Sequence, residues 1–147
     1  MNMKDERQFV GYSKYRSRLV DGHVPTELCP HGSGDRTALM IEKAIELRIE
    51  KVCLTEHAPL PKAFAAEYGG DQKAYDTASL KLNQVDSYLE LGRQLQRAYG
   101  THIDISLGFE VDYIPGFEAD IQEFLDRYGP LTDDNILSVH FMEGVNN

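Results

Sequence analysis

From Leu19 onward, short apolar runs alternate with longer amphipathic stretches, and this alternation constrains the fold more than any other feature of the chain. It is the pattern of βα units around a parallel sheet. A first strand is expected to end near His23. Ser33, Gly34 and Asp35 then offer N-cap chemistry for a helix through about Glu50, whose apolar positions Leu39, Ile41, Ala44, Ile45 and Ile49 roughly trace one face. A second strand is expected over Lys51 to Thr55. Residues Pro59 to Thr77, with two prolines and a Gly69-Gly70 pair, read as a long loop over a site. A helix from about Ser79 to Tyr99 should stop at Gly100, a residue type favoured just past helix ends. Ile103 to Glu110 gives a third strand, Pro115 to about Tyr128 a helix, and Ile136 to Phe141 a fourth strand.

Composition narrows the setting. A chain of 147 residues that is 41% hydrophobic, with six prolines, has the make-up of one folded unit, here residues 19–147 preceded by an N-terminal extension, 1–18. A formal charge of −9 argues against nucleic acid or an anionic membrane as partner, since either would select clustered Lys and Arg. Cys29 and Cys53 read as two reduced thiols. Together with a charged N-terminus and no apolar run of membrane length, they predict a cytoplasmic protein.

Chemistry gathers at one edge of the expected sheet. His23 and His31 bracket the loop after strand one, and His57, Glu110 and His140 close strands two, three and four. Active sites of barrels and open α/β sheets are built at this C-terminal edge. A lone histidine is more often a surface or satisfied core residue than a ligand. Here, though, four of the five histidines sit at strand ends or in the first loop, and only His102 falls outside the pattern. Imidazoles with a carboxylate suit zinc, manganese or iron rather than magnesium or calcium. Such metals provide what phosphate-ester hydrolysis needs, an activated water and positive charge against the phosphoryl oxygens. Glu56 and Asp112 could orient ligands from behind or could be solvated strand-end charges. Cys29 beside His31 also admits a nucleophile reading, weaker than the metal one.

Five ordered segments carry a resemblance: Asp21-Gly22-His23, Cys29-Pro30-His31-Gly32, Thr55-Glu56-His57-Ala58-Pro59-Leu60-Pro61, Gly108-Phe109-Glu110-Val111-Asp112-Tyr113 and Ile136-Leu137-Ser138-Val139-His140-Phe141. Together they resemble the histidinol-phosphatase branch of the PHP (polymerase and histidinol phosphatase) superfamily. The resemblance implies an α/β fold, a distorted seven-stranded TIM-like (β/α) barrel of which this chain is the N-terminal half. It also implies up to three divalent metal ions and hydrolysis of L-histidinol phosphate, a small phosphate monoester, to L-histidinol and phosphate in histidine biosynthesis. Carried over by position, His23 and Glu110 hold the first metal, Glu110 and His140 the second, and His31 and His57 the third, with Glu110 and His140 the catalytic pair.

Two departures qualify that carry-over. Pro25 stands where the family pattern has the second histidine of a His-x-His pair, and proline cannot ligate a metal. The family also places a further histidine and an Asp-x-His pair beyond the span matched here. The expectation is a truncated chain with partial metal occupancy and reduced or no activity alone. The alternatives are a phosphoesterase for another small monoester and a non-catalytic metal- or phosphate-binding remnant. A half-barrel leaves open strand edges, which a homodimer or the N-terminal residues Phe9, Val10, Tyr12 and Tyr15 would cover.

Overall fold

Apolar side chains at every second position build the sheet and its core together. A computed structural model of the chain describes residues 18–64 and 72–141. Strands β1 (Val20–Val24), β2 (Lys51–His57), β3 (Asp104–Asp112) and β4 (Ile136–Ser138) lie side by side in that order, each parallel to its neighbour. Helices among the described residues include α1 (Thr37–Glu46), α2 (Gln72–Thr77), α3 (Val85–Tyr99) and α4 (Glu118–Tyr128), with short 3-10 turns at Leu82–Gln84 and Gly129–Leu131. The strands curl into the expected α/β half-barrel. No helix among the described residues is long and apolar enough to cross a membrane. The N-terminal extension except Arg18, and with it Phe9, Val10, Tyr12 and Tyr15, lies outside the described residues.

β2 and β3 pair without a break from Lys51↔Asp104 to His57↔Glu110. Directly paired residues share a face, so this register sorts both strands into two sets. Val52 and Leu54, with Ile105, Leu107 and Phe109, turn toward the helices and pack with Ile41 and Ala44 of α1 and Val85, Tyr88 and Leu89 of α3. Leu54 and Leu107 are wholly buried, at 0% exposure, and each such side chain contributes roughly 1.5–3 kcal/mol. Thr55, His57, Gly108, Glu110 and Asp112 occupy the opposite face, inside the curl. Tyr88 ties the layers together. Its buried hydroxyl donates toward the carbonyl oxygens of Leu54 (3.0 Å) and Gly108 (2.5 Å) and accepts the Glu56 N–H (3.3 Å).

The helix ends depart from expectation for identifiable reasons. α1 stops at Glu46, not near Glu50, because Arg48 takes the left-handed conformation at φ 59°. The Ile49 N–H then bonds to Ala44 O and the Arg48 N–H to Ile45 O, both at 3.0 Å, which is the Schellman pattern without its usual glycine. Its N-terminus is not capped by Ser33 or Asp35. Instead Glu27, from the loop after β1, accepts the Thr37 N–H at 2.7 Å, while its own N–H donates to Thr37 Oγ1 at 3.1 Å. Gly100 ends α3 in the right-handed region at φ −61°. The long segment after β2 also contains α2, residues 72–77 of the expected loop.

β4 is shorter than expected. It pairs with β3 only from Glu110↔Ile136 to Asp112↔Ser138. Lower on β3, side chains of the preceding loop replace strand backbone: Asp133 Oδ2 accepts the Leu107 N–H and Asn135 Oδ1 the Phe109 N–H, each at 2.9 Å. Gly108 makes this approach possible, since a Cβ there would fall 1.5 Å from the Asp134 carbonyl oxygen. Gly108→Ala should therefore destabilise the chain by about 3 kcal/mol or more, by forcing backbone apart. Gly22→Ala, where an added Cβ meets nothing within 4 Å, should cost under about 1 kcal/mol. Urea midpoints of the two variants check the contrast.

Candidate metal centre

Alternation along β2 and β3 and the parallel register bring His57 and Glu110 level with each other on the inner face. β1 adds His23 from one side, and the segment just past β4 adds His140 from the other. Glu110 is the hub. Its Oε2 lies 3.2 Å from His23 Nε2 and 3.2 Å from His57 Nε2, and its Oε1 lies 3.5 Å from His140 Nε2. Glu110 Oε2 is buried, yet none of these approaches is a hydrogen bond. A carboxylate oxygen held in this way without a donor carries a desolvation cost that a cation would offset. Donor atoms sharing one tetrahedral zinc ion at bonds of about 2.0–2.2 Å stand roughly 3.3–3.6 Å apart, so the 3.2 Å contacts around Glu110 Oε2 are close to the spacing of a shared metal. His57, Asp112 and His140 also bring ligand atoms within 4.8 Å of one another.

The other nitrogens are held from behind. His31 Nδ1 donates to the Thr77 carbonyl at 2.8 Å, which leaves Nε2 as the lone-pair nitrogen, and its ring centre stands 5.4 Å from that of His57. His23 Nδ1 meets the Thr55 hydroxyl at 2.6 Å. His140 Nδ1 donates to Asp112 Oδ1 at 2.7 Å. His57 Nδ1 faces Asp112 Oδ2 at 3.8 Å, beyond hydrogen-bond distance. Asp112 is the main influence raising the pKa of His57, opposed by burial and assisted by Glu110. Burial disfavours the Asp112 carboxylate, but His57 and His140 outweigh it and hold its pKa below the usual range.

The remaining candidates divide. Glu56 follows Thr55 and precedes His57, so it points to the helix face, where its carboxylate accepts both the N–H and the hydroxyl of Thr26. It thus holds the loop after β1 rather than a histidine. Pro25 is exposed at the start of that loop, one residue from the clamp. Cys29 is buried and free, and burial pushes its thiol pKa up, with the Glu56 charge adding to this and the His31 backbone opposing it. That is the reverse of what a nucleophilic thiolate requires. His102 precedes β3 at the far end of the sheet. Sequence reasoning passed over Thr55 and Thr26. Thr55 was detectable two residues before His57 on one strand face, whereas nothing local marks Thr26. Next to His140 in sequence, Phe141 joins an aromatic cluster with Phe64 and Phe117, at ring separations from Phe64 of 5.0 Å for Phe141 and 5.4 Å for Phe117.

Comparison with known proteins bears on the fold and the family. A histidinol-phosphatase of Bacillus subtilis is 43% identical over 122 residues, covering 83% of this chain and 44% of that protein. A crystal structure of a proposed histidinol phosphatase from Listeria monocytogenes matches with a TM-score of 0.83 and 42% identity, over 85% of this chain and 46% of the other. Histidinol phosphate phosphatase from Lactococcus lactis, crystallised with zinc, L-histidinol and phosphate, shares the fold at a TM-score of 0.66 and 24% identity, over 86% of this chain and 41% of that one. The chain thus spans less than half the length of the relatives it matches. Residues 21–147 match the PHP domain, and with these relatives the match shows that the chain belongs to the PHP domain family and is homologous to histidinol-phosphatases.

Proposed function

We propose that the chain forms part of a metal-dependent phosphatase that hydrolyses L-histidinol phosphate to L-histidinol and phosphate, a step of histidine biosynthesis. The observation that carries this reading is the buried Glu110 Oε2, 3.2 Å from two imidazole nitrogens and hydrogen-bonded to none. In this reading His23, His31, His57, Glu110 and His140 hold divalent ions such as zinc, manganese or iron, and Glu110 is shared because its two oxygens face different histidines. When bound, such ions activate water as the nucleophile and offset the charge that builds on the phosphoryl oxygens. The chain's own groups provide placement. Glu110 and His140 set the catalytic edge, and the His31–Thr77 hydrogen bond ties the segment after β2 to the site, where it would enclose the histidinol end. The Lactococcus relative was crystallised with the ligands this reading assigns.

In the positional assignment the nearest further donor to the first metal is His57 Nε2, 3.2 Å from the same Glu110 oxygen as His23 Nε2, and Pro25 leaves that metal with His23 and Glu110. That favours a second reading, in which this stretch binds metal or phosphate without turnover. Free Cys29 and Cys53 support a cytoplasmic setting. Among the described residues Leu19 and Val20 on the β1 side and Leu137 and Val139 on the β4 side are 50–71% exposed, apolar edge surface that favours a second copy as its cover.

Three measurements test these proposals. The purified 147-residue chain should take up zinc partially and release phosphate from histidinol phosphate slowly, and Pro25→His should raise its zinc affinity about tenfold or more, the scale on which metal-site substitutions act. Zinc content by elemental analysis and phosphate release read both effects, and a variant that gains neither would leave the non-catalytic reading ahead. Light scattering after size exclusion should return a dimer's mass, twice 16.6 kDa. A single species at the monomer mass would remove the homodimer.

A further inference from the structure

β4 ends at Ser138, and the last strand-like contact beyond it is the Tyr113 N–H to Ser138 O bond at 2.8 Å. His140 therefore projects from a segment that the sheet no longer holds, with its side chain 48% exposed. One carboxylate, itself 4% exposed, replaces the missing ladder. Asp112 Oδ1 accepts three donors from this segment: the Ser138 hydroxyl at 3.3 Å, the His140 backbone N–H at 3.3 Å and His140 Nδ1 at 2.7 Å. The backbone bond fixes where the residue stands, and the ring bond fixes how it is turned.

A neutral imidazole carries one N–H. Two carboxylates compete for it here, Asp112 at 2.7 Å from Nδ1 and Glu110 at 3.5 Å from Nε2. The shorter contact meets hydrogen-bond geometry and the longer does not, so the proton sits on Nδ1 and the lone pair of Nε2 faces Glu110. We propose that Asp112 is a positioning residue, which holds His140 as the Nδ1–H tautomer and aims its Nε2 at the ligand set around Glu110. This builds on the metal-centre reading by naming what orients one of its ligands, and it makes Asp112 a carboxylate behind a histidine rather than a ligand in its own right. Its second oxygen, Oδ2, reaches toward the buried His57 Nδ1, which has no hydrogen-bond partner.

The decisive experiment has a metal-free arm and a zinc arm, both on the full chain. In the metal-free protein at alkaline pH, nitrogen NMR should show His140 as the Nδ1–H tautomer, and Asp112→Ala should abolish that signature. A native His140 protonated on Nε2 would overturn the proposal, whether or not the chain binds metal. In the zinc arm, Asp112→Ala should weaken affinity about 10–100-fold. In the His140→Ala background the same change should cost little more, because Asp112 acts through that ring. Independent, additive losses would instead mean that Asp112 ligates zinc or acts elsewhere. Asp112→Asn, which keeps an acceptor for both His140 donors, guards against a folding artefact. It should retain the Nδ1–H signature and most of the affinity, and losses equal to those of Asp112→Ala would count against positioning. A native chain that takes up no zinc would remove the metal reading while leaving the tautomer measurement to decide the role of Asp112.

Discussion

The unbroken pairing of β2 with β3 is the constraint on which the rest depends. Two strands held in parallel register have only two faces to offer, and their alternating side chains were assigned to those faces together. Leucine, isoleucine and phenylalanine on one face create the core that holds α1 and α3, and the same alternation delivers His57, Glu110 and Asp112 to the other. A one-residue slip in either strand would bury the histidine and expose the leucines. Folding and site assembly are thus a single event, with the core supplying the stabilisation that the polar face consumes.

That polar face is costly. Glu56, Glu110 and Asp112 are all nearly fully buried carboxylates, and each resolves its burial differently. Glu56 engages a backbone N–H and a hydroxyl, Asp112 a histidine and a turn of backbone, and Glu110 only imidazole nitrogens without hydrogen-bond geometry. The first two behave as structural anchors with local partners. Oε2 of Glu56 and Oε2 of Glu110 are both buried without a hydrogen-bond partner, and what sets Glu110 apart is the set of imidazole nitrogens within 3.5 Å of its oxygens, which makes it the candidate ligand.

Much of this was legible in the sequence. A short apolar run marked β2 and period-two alternation marked β3, and the recurrence of histidines at strand ends pointed to the edge where His23, His57, Glu110 and His140 meet, because both follow from local pattern and the geometry of a parallel sheet. Features fixed by distant partners were not legible. Arg48 in a left-handed conformation gives no glycine signal. The Glu27 cap on Thr37 depends on a loop folding back, and the shortening of β4 depends on Asp133 and Asn135 mimicking a strand. Glu56 shows the limit most clearly. Next to His57 in sequence, it resembles an orienting residue until the pleat sends the two side chains to opposite sides.

The Glu56–Thr26 clamp also separates two kinds of selection on the corner after β1. The loop is moored at residue 26 by a buried carboxylate on the helix side, so its attachment does not depend on what stands at the exposed position before it. A change at residue 25 can then alter ligation while leaving the corner's mooring intact, and quality control that senses unfolding would not register it. If residue 25 is a ligand position, as the resemblance implies, the clamp one residue further on gives the corner an attachment that does not draw on the side chain at 25.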